Sequence, residues 1–104
     1  MTFPELEQTA PSAPSLSRIK RTLTEQAIAA ATAAAWEEAA EINRKLLEYG
    51  PEAEAENRLA KSLWEMGDLA GAREHYQKAL ALDPTSRIAE RNIDRLKVLL
   101  VEAG

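Results

Sequence analysis

Apolar residues recur every three or four positions along most of this chain, the spacing of a helix with one buried face. In "WEEAAEINRKLLEYG", Trp36, Ala39, Ala40, Asn43, Leu46 and Leu47 share a face, with Glu, Arg and Lys opposite. "AEAENRLAKSLWEMG" gathers Ala55, Leu59, Ser62, Leu63 and Met66, and "DLAGAREHYQKALALD" gathers Leu69, Ala72, Tyr76, Ala79 and Leu80. "SRIAERNIDRLKVLLVEAG" offers Ser86 as an N-cap, then Ile88 or Ala89, Ile93, Leu96 and Leu100. Gly50-Pro51, Gly67-Asp68 and Asp83-Pro84-Thr85-Ser86 break the rhythm between these segments. No run alternates with a period of two, so strands are not expected. The pattern predicts an all-α chain of about five helices joined by short turns.

The first helix is expected to start after Ser15 or Ser17, either of which can cap it. Residues 1–16 hold Pro4, Pro11 and Pro14 among Ser, Thr and Glu, and are read as a flexible arm ahead of a helical domain at 17–104. The boundary between the first two helices is open. "AAATAAAWEEA" has neither Gly nor Pro, and Ala is the strongest helix former, so one long helix and two short ones both fit at Ala34-Ala35.

Composition narrows the classes of function. The chain of 104 residues suits one small domain. It has no Cys, which excludes disulfides, thiolate nucleophiles and Cys-based zinc sites and fits a reducing compartment. The first residues lack a basic stretch followed by an apolar one, and no apolar run reaches membrane-spanning length, so a cytoplasmic protein without membrane contact is expected. The net charge of -4 argues against a general nucleic-acid coat.

Self-comparison gives the architecture. Shifted by 33 residues, 36–51 lies over 69–84: Ala39 meets Ala72, Glu41 meets Glu74, Lys45 meets Lys78, Leu47 meets Leu80 and Pro51 meets Pro84. After each Pro, Ala55, Leu59 and Lys61 correspond to Ala89, Ile93 and Arg95. With Leu59-Ala60, Leu63, Ala72, Tyr76, Ala79 and Pro84 at their spacing, residues 53–86 resemble the tetratricopeptide repeat. Glu56 departs from that family's Trp slot. Residues 20–52 resemble a degenerate second repeat, with Gln26, Ala30 and Asn43 in place of the usual Leu, Tyr and Phe and Ala34 in place of the turn Gly. The helix from about Arg87 resembles the solvating helix that ends such arrays. The resemblance implies an α-solenoid of antiparallel helix pairs and a non-enzymatic, protein-binding role without cofactor.

The remaining chemistry supports no catalytic or metal site. His75 has no second His and no Cys to join it, and Glu74 beside it points elsewhere on a helix, so His75 is read as a surface or inter-helix residue. All four Gly are isolated, and no metal-ligand motif is present. In the family the first helix of each pair lines a concave surface. That resemblance puts Asn57, Arg58, Lys61 and Trp64 on one wall and Arg91, Asn92 and Arg95 on the other as peptide-binding candidates. Arg87, Arg91 and Arg95 form one stripe, which suggests an acidic peptide or partner segment, with intramolecular ion pairing as the plain alternative. The Lys/Asn clamp for a terminal carboxylate is not reproduced, since the family positions fall on Thr24 and Ile28. Two other readings stand beside the adaptor. One is homodimerisation through the terminal helices, suggested by "VLLV" at 98–101. The other is nucleic-acid binding by "SRIKR" at 17–21 with the Arg stripe.

Overall fold

The computed structural model describes residues 13–103, which form five helices and no strand. They are α1 (Leu16–Thr32), α2 (Trp36–Leu47), α3 (Ala53–Glu65), α4 (Leu69–Leu82) and α5 (Arg87–Ala103). Most of the N-terminal arm, residues 1–12, lies outside the described residues. Three helices start on side-chain caps that satisfy otherwise unpaired amides. Ser15 accepts from Arg18 N at 3.2 Å, Asp68 from Gly71 N at 2.9 Å, and Ser86 from Ala89 N at 3.2 Å. Glu37 and Glu38 open α2, and Arg44 and Lys45 close it, each charge favourable to the helix dipole.

The stretch without a breaker nevertheless turns. Ala34 takes a left-handed backbone with φ 57°, Ala34 N bonds Ala31 O at 2.9 Å and Ala35 N bonds Ala30 O at 2.8 Å. Gly67, 33 residues on, has φ 88°, with Gly67 N on Trp64 O and Asp68 N on Leu63 O, both at 2.9 Å. The same helix-terminating hydrogen-bond pattern therefore closes α1 and α3. Helices one and two are separate, although nothing local requires it.

Each helix packs on its neighbours in the chain. Ala40, Leu59, Ala60, Leu63, Ala72, Tyr76, Ala79, Ala89 and Leu96 make one buried cluster across α2 to α5. Ala27, Ala30, Ala39 and Leu46 are buried where α1 and α2 meet. The alanines let backbones approach closely, and Tyr76 and the leucines fill the space that remains. Two expected core positions differ. Met66 is exposed because it caps the C-terminus of α3, past the last turn that faces α4. Trp36 is half-buried at the start of α2. On α5 the choice falls to Ala89, which is buried, while Ile88 is 62% exposed. The α3 residues Ala60 and Leu63 are matched on α5 by Asp94 and Lys97, both exposed, so α5 turns a polar face where α3 carries its partner helix.

Candidate functional site

Helical spacing puts Asn57, Lys61 and Trp64 on one face of α3, and Arg91 and Arg95 on one face of α5. These faces meet along a seam. Lys61, Trp64, Glu65, Tyr76, Asn92 and Arg95 line a pocket of about 170 Å³. Its floor is Tyr76, which is 1% exposed and packs edge-on to Trp64 with centroids 6.4 Å apart. Burial pushes the Tyr76 phenol up to about 12, against the opposing pull of Asn92 and Arg95. The Arg95 guanidinium lies over the Trp64 ring at 5.0 Å, and Lys61 Nζ stands 5.8 Å from the Trp36 ring. Towards the helix N-termini, Asn57 and Arg58 line a second pocket with Ala53, Glu54, Asp83, Ser86, Arg87 and Ile88. Arg91 lies at a third, with Pro84, Thr85, Arg87 and Glu90.

The seven candidates therefore divide. Lys61, Trp64, Asn92 and Arg95 converge on one pocket, Asn57 and Arg58 on its neighbour, and Arg91 on the outer side of α5. Arg58 is engaged within the chain. Its Nε donates to Asn43 Oδ1 at 3.0 Å, and Nη2 lies 3.4 Å from Glu52 Oε1. Asn92 lines the pocket beside Tyr76. Lys61 pairs with Glu65 at 2.6 Å on the surface. Among the described residues, Arg87, Arg91 and Arg95 have no carboxylate within 4.0 Å, so the alternative of intramolecular ion pairing does not occur at these three.

One polar pair escaped the sequence reading. His75 Nδ1 is 2.7 Å from Glu56 Oε1, joining α4 to α3 across 19 residues, with both side chains largely buried. Glu56 occupies the family's Trp slot. The signal was present in the repeat: 33 residues earlier, the same two slots hold Leu23 and Ile42, an apolar pair. Two residues do not make a metal site, and the described residues hold no cluster of three or more His, Cys, Asp or Glu suited to one.

Antiparallel helix pairs that repeat their turn and their core slots define an all-helical repeat fold. Residues 53–86 match the family model of the tetratricopeptide repeat. Such repeats generally mediate protein–protein interaction and are typically not enzymes. No curated protein matches the chain. Among the described residues no helix is long and apolar enough to cross a membrane.

Proposed function

We propose that this chain is a non-enzymatic adaptor whose helical domain, 17–104, takes a peptide or partner segment, acidic in character, along the seam between α3 and α5. The observation that carries the reading is the convergence of Lys61, half-buried Trp64 and Arg95 on a pocket already formed over Tyr76. An aromatic ring beside cationic donors is what a recognition site uses, because the ring supplies area and the donors supply orientation. Asn57 and Asn92 line the seam, Arg91 stands on the exposed shoulder of α5 beside it, and Arg58 fastens α3 to α2. The absence of Cys supports placing the protein in a reducing compartment such as the cytoplasm.

The test is capture of partner proteins from lysate by the wild type and by Arg91→Glu with Arg95→Glu. Both side chains lack a carboxylate partner, so the double reversal should leave the fold intact and abolish capture; equal capture by the two proteins sinks the reading. Arg58 is unsuitable for this experiment because its loss strips Asn43 of a buried partner. Self-association is a second reading, favoured by Val98 and Val101, which are 59% and 76% exposed on α5. Light scattering that finds only monomer at high concentration removes it.

A further inference from the structure

We infer that the partner segment carries acidic and aliphatic side chains together and lies along α5 rather than α3; the inference rests on the seam reading above. The two walls differ in charge. On α3, Arg58 meets Glu52 and Lys61 meets Glu65, and Glu54 is exposed on the same wall, so no positive charge is left over. On α5, Arg87, Arg91 and Arg95 stand in one stripe and, among the described residues, face no carboxylate within 4.0 Å. Glu90 and Asp94 border the stripe, and Glu90 shares a pocket with Arg87 and Arg91, but neither carboxylate comes within 4.0 Å of these arginines.

Ile88 and Val98 bracket the arginines. Positions 88, 91, 95 and 98 follow helical spacing and share one face, on which Ile88 is 62% and Val98 59% exposed. Exposed aliphatic residues on either side of arginines without a carboxylate partner suit a ligand with the opposite charge and the same apolar habit. Its carboxylates would take the planar guanidinium forks, and its aliphatic side chains would cover Ile88 and Val98. The four positions span about 15 Å of helix, which an extended segment crosses in about five residues. Arg95 already stacks on Trp64, so its guanidinium is oriented before the ligand arrives.

Fluorescence anisotropy tests this with a labelled peptide repeating Leu-Glu-Ala-Glu-Leu. The controls carry Lys for Glu or Ala for Leu, and a single-stranded RNA oligonucleotide is added as a further probe. The Leu/Glu peptide should bind, and Arg91→Glu with Arg95→Glu should weaken it roughly tenfold or more. Ile88→Ser with Val98→Ser should weaken it by about tenfold as well. All four positions are solvent-facing, and far-UV circular dichroism confirms that the variants are folded. Equal binding of the Lys peptide, RNA binding that is tighter and depends on the same arginines, or no binding of the Leu/Glu peptide overturns the inference. Affinity that responds to Asn57→Ala with Lys61→Ala but not to the α5 variants overturns it while leaving the seam reading in place. Indifference of a bound peptide to both walls removes both.

Discussion

Arg58 donates through Nε to Oδ1 of Asn43 at 3.0 Å, fastening α3 to the second helix of the preceding pair. Asn43 is 1% exposed and its amide donates to Ala39 O at 2.9 Å, so its own polar atoms are satisfied only while Arg58 is there. One repeat later, Asn92 stands in the slot of Arg58 and Tyr76 in the slot of Asn43, and these two line one pocket. The joint between α2 and α3 is thus a polar contact made by a buried Asn. Arg58, which the repeat pattern assigns to the binding surface, is also a fastening between helices.

Arg58→Ala should therefore lower stability by about 1–3 kcal/mol, the cost of leaving a buried acceptor without its donor. Lys61→Ala is the control, because the Lys61–Glu65 pair is exposed and should be worth no more than about 0.5 kcal/mol. Urea unfolding of the two variants measures the difference, and comparable losses would show that the joint carries no special weight.

The Glu56–His75 pair has an internal reference in Leu23 and Ile42, which fill the same slots one repeat earlier. Removing one partner leaves the other in a largely buried place, so Glu56→Leu alone or His75→Ile alone should cost about 1–3 kcal/mol. Both together restore the apolar pair and should recover most of the loss. A double-mutant cycle gives the coupling directly; strictly additive losses contradict the account.

Ala34 and Gly67 hold the same left-handed turn, but only Gly does so without strain from a Cβ. Ala34→Gly should stabilise the protein by about 1 kcal/mol, and Gly67→Ala should destabilise it by a similar amount. Thermal unfolding of both variants checks the opposite signs.

Ala34 also shows where the sequence stops being informative. The repeat offset, Tyr76 among Ala72 and Ala79, and Pro84 made the helix pairs legible because packing slots recur with fixed spacing. The break at Ala34 was not legible because local propensity favours helix there; packing α2 back on α1 outweighs a small local cost, and that gain is spread over distant residues. The same limit applies to the surface. Helical spacing identifies which face Arg58, Lys61 and Arg95 occupy, but not which cations find a carboxylate. Glu52 reaches Arg58 from beyond the N-terminus of α3, and His75 reaches Glu56 on another helix. The acid–base pair could have been found by reading the aligned slots together, since Leu/Ile in one repeat and Glu/His in the other are compatible pairs and the mixed combinations are not.

The pocket floor gives a dependence on pH. Burial disfavours the Tyr76 phenolate and raises its pKa from 10.0 to about 12, in spite of Asn92 and Arg95. Between these values the unfolded chain has lost a proton that the native protein keeps, so stability falls as pH rises. The contribution is complete below pH 10 and disappears as pH passes about 12; its full size is about 3 kcal/mol at 1.36 kcal/mol per pKa unit. Tyr76→Phe removes the titrating group, so its stability should fall less steeply between pH 10 and 12 than that of the wild type. Urea midpoints taken across this range for both proteins test the argument, and parallel pH profiles refute it.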